Sequence, residues 1–321
     1  TVVLDGAGEH HRPPDGRPVE DGDALVIPTS GSTGVPKGVI HTHASVAASA
    51  RATNAGVGTD PATDTWLCSL PLSHVAGLSV VTRALASGTP LVVLDGFDAD
   101  AVEAAARAGA TLTTLVPTAL TRIDASWFRR IVVGGTFPPE ELPPNCLVSY
   151  GMTETGSAVA YDGWPLPGVE VRVVDGEIHL RGEMLLRAYR DGRDPKNHDG
   201  WLATDDAGEL VDGRLVVHGR RGDLIITGGE NVWPIEVERV LALHPAVHEV
   251  AVIGRPDPEW GSTVTAVVVA TDPQSPPALA ELRAFAKDHL PSFAAPRRLD
   301  LVDVLPRTML GKVSRRDLTD D

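Results

Sequence analysis

Cysteine is scarce in this chain: Cys68 and Cys146 are the only two in 321 residues. That is too few for a disulfide framework or a cysteine-rich metal centre, and two reduced thiols fit a cytoplasmic setting. No apolar run approaches the ~20 residues that cross a bilayer, and no basic stretch with a hydrophobic core opens the sequence. Neither integral membrane association nor export is therefore expected. Positive charge is also sparse, with 28 Lys and Arg against 43 Asp and Glu and a net charge of −15. This balance excludes broad electrostatic attachment to nucleic acid or an anionic membrane, while a locally positive pocket for small anions remains open. What the chain has in quantity is turn chemistry, 32 glycines and 26 prolines, within a sequence that is 42% hydrophobic and so not disordered. Its length suits about two domains of roughly 150 residues.

Residues 1–22 read as a polar, turn-rich lead-in. Ala24 to Ile27 predicts a strand that delivers the chain into a Gly-rich loop, and Ala44 to Ala55 predicts an Ala-rich helix. Strand-like runs then follow at Thr65–Leu70, Leu91–Leu94, Thr111–Val116, Ile131–Val133 and Leu147–Ser149, separated by helical stretches ending near Ala86 and Gly109. Strands alternating with helices and ending in glycine-bearing loops indicate an α/β domain with its ligand site beyond the strand ends. From Val169 to Arg181 the pattern becomes a hairpin around Asp175-Gly176, the start of an antiparallel β subdomain. Beyond a boundary near 220, strands and helices at 224–227, 234–243, 247–253, 262–269, 277–290 and 298–304 describe a small α+β module. The expected division is 1–220 and 221–321.

The strongest chemical signal is Thr29-Ser30-Gly31-Ser32-Thr33-Gly34-Val35-Pro36-Lys37-Gly38. Backbone N–H groups and hydroxyls of such a loop can surround phosphate oxygens while Lys37 adds a mobile charge. It differs from the P-loop of nucleoside triphosphatases, since Lys37 is followed by Gly38 rather than Ser or Thr. Further along stand Tyr150-Gly151-Met152-Thr153-Glu154, Gly200-Trp201-Leu202-Ala203-Thr204-Asp205-Asp206, Gly219-Arg220, Gly228-Gly229-Glu230-Asn231-Val232-Trp233-Pro234 and Pro306-Arg307-Thr308 with Gly311-Lys312. In this order the motifs resemble those of the acyl-adenylate-forming superfamily: acyl-CoA synthetases, peptide-synthetase adenylation domains and beetle luciferases.

The resemblance implies that fold, a large α/β domain with an antiparallel β subdomain and a small mobile α+β C-terminal domain. It also implies ATP-dependent conversion of a carboxylate to an acyl-adenylate, with pyrophosphate release and then transfer to a thiol, usually coenzyme A. Lys312 would stabilise charge developing on the α-phosphate. Glu154 would hold Mg2+ against the triphosphate, and Lys37 would meet the phosphates. Tyr150 would face adenine, with Gly134, Gly135 and Thr136 along its other side; Gly151 and Met152 would belong to the same ATP-binding segment, and Thr153 would hydrogen-bond the phosphate. Asp206 and Arg220 would take the ribose hydroxyls. The family shows Thr-Gly-Asp where this chain has Thr204-Asp205-Asp206, so Asp205 falls on the glycine position, and a shifted loop would transfer the ribose role to it. Arg221 and Gly222 would form the hinge, and Gly228 and Gly229 the pantetheine passage, within a turn expected to run from Gly228 to Val232. His41 and His43 lack a third ligand of suitable spacing for zinc.

For the acid, Pro71-Leu72-Ser73-His74 resembles the family's acyl-site gate, and Arg83 resembles an arginine that binds a second carboxylate in the o-succinylbenzoate–CoA ligase branch of menaquinone synthesis. Other aryl- or acyl-CoA ligases, loading of a carrier protein, and a nucleotide-binding regulatory or scaffolding protein are the alternatives. The expected partners are ATP, a carboxylic acid and CoA, with a homodimer left open because the phosphate loop begins as early as residue 29.

Overall fold

The computed structural model describes residues 3–4, 10–11, 19–29, 37–135, 141–307 and 313–319. The lead-in contains one short antiparallel pair, β1 (Val3–Leu4) with β2 (His10–His11), which its polar composition did not announce. Next come β3 (Asp23–Thr29), β4 (Lys37–Thr42) and α1 (His43–Val57). Helix α1 starts where it does because Thr42 and Ser45 cap each other reciprocally, and it stops at Gly58 in the left-handed conformation. The α/β alternation continues through β5 (Trp66–Cys68), α2 (Val75–Ser87), β6 (Leu91–Val93), α3 (Ala99–Arg107), β7 (Leu112–Leu115), α4 (Pro117–Leu120), β8 (Arg130–Val133) and β9 (Cys146–Met152). Strands β5 and β7 are buried on both faces, as their β-branched and apolar residues require of a central parallel strand.

After β9 the chain reverses into β10 (Ser157–Tyr161) and β11 (Trp164–Pro165), which close a seven-stranded sheet in the order β11-β10-β9-β8-β7-β5-β6. Strands β12 (Glu170–Val174), β13 (Glu177–Arg181), β15 (Leu202–Val211) and β16 (Arg214–Arg220) make a separate antiparallel sheet. Between β13 and β15 the chain sends β14 (Ala188–Tyr189) back to pair with β4. The hairpin expected at Asp175-Gly176 is present, with Val174 paired to Glu177.

A short 3-10 turn at Arg221–Asp223 leads into the last sheet. It contains β17 (Ile225–Thr227), β18 (Glu230–Val232), β19 (Val247–Asp257), β20 (Gly261–Ala270) and β21 (Arg298–Leu301), with α5 (Pro234–Leu241) and α6 (Leu279–Lys287) on one face and the short α7 (Arg315–Thr319) packed against β19. Val237, Leu241 and Leu282 from the two helices meet Val252, Val264 and Val268 from the strands in a sealed core. The turn expected over Gly228–Val232 is shorter than that: only Gly228-Gly229 turn, both at positive φ, and Glu230–Val232 is a strand paired with β17. Exposed Glu230 and Asn231 hide a strand from any reading based on apolar alternation.

Candidate active site

Strands β3 and β4 pair in the register Thr29↔Lys37 and Pro28↔Gly38, so the Gly-rich stretch leaves and re-enters the sheet at one place. Ser30, Gly31, Ser32, Thr33 and Gly34 lie outside the described residues. At the base of this loop the Gly38 carbonyl accepts the Arg190 N–H at 2.6 Å, and a Cβ on Gly38 would meet Arg190 Cβ at 2.9 Å. The chain after β14 is therefore packed directly against the start of β4. Lys37 Nζ stands 5.5 Å from the centre of the Tyr189 ring.

Strand β9 carries Tyr150, and a 3-10 turn at Thr153–Thr155 then presents Glu154. Gly151 is obligatory, since a Cβ there would lie 2.3 Å from the Ser157 carbonyl oxygen across the β9–β10 ladder. One Glu154 oxygen, Oε1, accepts the Tyr189 hydroxyl at 2.9 Å, and the Glu154 carbonyl accepts the Leu186 N–H at 2.8 Å. The Thr153 carbonyl lies 2.7 Å from His41 Nε2, and Nδ1 faces the Ser45 hydroxyl at 3.2 Å. Because a carbonyl only accepts, Nε2 carries the proton. Burial holds the imidazole below its ordinary value, so His41 is a neutral strut under the turn.

Asp206 on β15 pairs in register with Arg220 on β16. Its Oδ2 accepts the Tyr150 hydroxyl at 2.8 Å and its Oδ1 meets Arg220 Nε at 2.9 Å. Burial and the neighbouring Asp206 push the Tyr150 phenol well above its ordinary value, so it remains a donor. Tyr150, Asp206 and Arg220 thus form one connected unit. Asp205 is exposed, has φ +63° and uses its N–H to reach Glu177, whereas Asp206 is buried against Tyr150. Of the two, Asp206 is the one joined to Tyr150 and Arg220. Asp205→Gly is expected to raise stability by about 0.5 kcal/mol, since relief of the left-handed backbone slightly exceeds the entropy glycine adds to the unfolded chain. Asp206→Asn should weaken ATP binding about tenfold by losing charge-assisted bonds. Urea unfolding and titration with a fluorescent ATP analogue check the pair; equal effects on nucleotide binding would contradict the assignment.

Gly134 packs so closely that a Cβ would fall 2.2 Å from Ser149 Oγ, and Gly135 has φ +90°. Thr136 lies outside the described residues, as does Lys312. Arg307 and Val313 form an antiparallel bridge on either side of the Lys312 segment, and Arg315 binds Glu238 at 2.7 Å and Asp223 at 3.3 Å. At the start of the small sheet, Arg221 meets Glu177 at 2.6 Å, and Gly222 has open space around it. Gly228 backs onto Trp260, with 2.8 Å from a hypothetical Cβ to the ring, while Gly229 faces open space.

His74 stands at the N-terminus of α2 and is half-buried. Arg83, two turns further on, is 2% exposed. It reaches Thr114 Oγ1 at 3.0 Å and Ser157 Oγ, with its guanidinium 5.4 Å from the Trp66 ring centre. Among the described residues no carboxylate pairs with it. Thr114, Ser157 and Tyr189 escape a sequence reading because no motif spacing connects them to their partners; Ser157 is only three residues past Glu154, which is the single local cue.

Among the described residues no three His, Cys, Asp or Glu side chains cluster as a metal cage. The arrangement suits Mg2+ differently, since Mg2+ takes one or two carboxylates and completes its shell with phosphate oxygens and water. Glu154 fits that role: its Oε2 has no partner among the described residues.

This pairing of a Gly-rich-loop sheet with an acidic turn, a buried aspartate and a small terminal sheet defines the acyl-adenylate-forming fold. Consistent with that, the chain superposes with a TM-score of 0.84 on o-succinylbenzoate CoA synthetase from Bacillus subtilis bound to its acyl-adenylate, at 32% identity, covering 92% of this chain and 69% of that one. An amide bond synthetase from Marinactinospora thermotolerans matches with a TM-score of 0.80 and 32% identity over 97% of this chain and 71% of its own. By sequence, a probable 2-succinylbenzoate–CoA ligase from Mycobacterium tuberculosis is 37% identical, with 94% of this chain and 85% of the relative covered. The chain belongs to the AMP-binding enzyme family, which matches residues 3–190, and the family's C-terminal domain matches residues 236–312.

Proposed function

We infer that this chain is an AMP-forming acid–CoA ligase whose acid is 2-succinylbenzoate. The observation that carries the choice of acid is the Arg83 guanidinium, buried with hydroxyl partners and, among the described residues, no carboxylate. An uncompensated buried cation is costly, and a substrate carboxylate that is not itself activated would offset that cost through charge-assisted bonds. A simple monocarboxylic acid would not.

In the first half-reaction the other carboxylate attacks the α-phosphorus, its bond to pyrophosphate breaks, and acyl-adenylate forms. Lys37 meets the phosphates at the loop, Tyr150 faces adenine, and Asp206 with Arg220 receives the ribose. Glu154 would hold Mg2+ together with ATP, and the ion would supply neutralisation of phosphate charge. Lys312 answers the charge that develops on the α-phosphate and the leaving group. In the second half-reaction the CoA thiol, as thiolate, attacks the acyl carbon and AMP leaves; Gly228 and Gly229 line the pantetheine approach and His74 borders the acyl site. The domains meet at 220/221, with Arg221 and Gly222 as the hinge. The free thiols Cys68 and Cys146 fit a reducing, cytoplasmic setting.

The test is pyrophosphate release across a panel of acids, with mass detection of CoA adducts in the same samples. Release and a CoA adduct with 2-succinylbenzoate are expected. Robust response to a different acid alone would reject the substrate, and transfer only to a carrier protein would reject the acceptor. Sedimentation of the same preparation reports whether the active species is a homodimer.

A further inference from the structure

Tyr189 has no place in the motifs, yet it touches two of the three charged groups assigned to the phosphates. It lies on β14, paired with Val39 of β4, only two residues beyond Lys37 on the same strand. The side chain is 8% exposed and packed with Val39 and Leu186. Its hydroxyl donates to Glu154 Oε1 at 2.9 Å, and its ring faces Lys37 Nζ at 5.5 Å and the Arg193 guanidinium at 4.9 Å. The backbone around it is fixed independently. Leu186 N–H binds the Glu154 carbonyl, Arg190 N–H binds Gly38, and Lys196 Nζ holds the carbonyls of Leu186 and Arg187 at 2.7 and 3.0 Å.

A glutamate on a one-turn helix samples several rotamers, and a metal that takes only one oxygen from the protein gains little from a wandering ligand. A rigid neighbour that engages one oxygen removes this freedom and leaves the other for the metal. Such outer partners of metal ligands commonly set affinity and orientation. Because a carboxylate oxygen only accepts, the Tyr189 hydroxyl is the donor of this bond. The ring, meanwhile, offers its face to the Lys37 ammonium.

We propose that Tyr189 is a positioning residue for adenylation: its hydroxyl holds Glu154 Oε1 so that Oε2 is directed at the metal–triphosphate, while its ring steadies the Lys37 ammonium beside the same phosphates. This rests on the metal role of Glu154 inferred above.

Tyr189→Phe keeps the ring and deletes only the hydroxyl. Mg2+ is titrated into protein plus a non-hydrolysable ATP analogue, with nucleotide binding read by fluorescence. The Mg2+ needed for half-maximal binding should rise about 5- to 10-fold, within the range of one lost ordinary hydrogen bond. Binding without metal and the melting temperature should match the wild type. In a Glu154→Gln background the same substitution should add less than about twofold, since the two act as one unit. An unchanged Mg2+ requirement in Tyr189→Phe, or a loss that only follows a lowered melting temperature, overturns the proposal. Mg2+-independent nucleotide binding by the wild type overturns the metal role of Glu154 and the proposal with it.

Discussion

Arg83→Met should lower kcat/KM for 2-succinylbenzoate by about 10²-fold or more, with little change for the two monocarboxylates obtained by deleting one or the other carboxyl. A buried guanidinium that binds a carboxylate contributes more than a surface pair, because water does not replace the lost bonds. Methionine fills similar volume and brings no charge, so it leaves the acid's second carboxylate facing an apolar wall. The effect on folding should be small. Removal of an uncompensated interior cation is stabilising, and the Thr114 and Ser157 hydroxyls that lose their donor cost about 1 kcal/mol each, so the two changes nearly cancel. Steady-state kinetics with the three acids and a thermal melt measure both sides. Equal losses for all three, tracking a lowered melting temperature, would make Arg83 a core residue and remove the argument for a dicarboxylate.

Lys312→Ala should slow adenylate formation by about 10²–10³-fold, comparable to removing one preorganised donor from a developing oxyanion. Thioester formation from supplied adenylate should stay within about threefold of the wild type, because the role proposed for Lys312 is confined to charge that develops during adenylation. The neighbourhood makes this a clean substitution. Arg307 and Val313 are bridged, Arg307 binds Glu249 at 2.7 Å, and Arg315 is anchored to Glu238, so the flanks of the segment are fixed without the lysine. Single-turnover assays of each half-reaction separate the outcomes; equal impairment of both would contradict a role confined to adenylation.

The motifs were legible because each compresses a geometric demand into adjacent residues. Gly151 and Gly134 leave no room for a side chain, and the substitution of Asp205 for a glycine is tolerated because aspartate accepts the left-handed region more readily than most residues. The parallel strands also declared themselves through buried, β-branched runs. The partners of the charged groups did not. Tyr189 reaches Glu154 across 35 residues and Ser157 reaches Arg83 across 74, contacts made by sheet register and by the return of β14 to β4 rather than by spacing. Likewise β18 is held by ladder bonds to β17 while showing water its polar side chains, so its composition resembles a turn.

The Arg221–Glu177 contact stands at the boundary proposed as the hinge. Arg221 is 45% exposed, and a pair so open to solvent contributes under about 1 kcal/mol. Letting go of it is therefore a matter of ordinary thermal agitation, and a side chain on Gly222 beside it would meet no atom within 4 Å. For the rotation proposed for the terminal module, this contact is a weak tether rather than a latch.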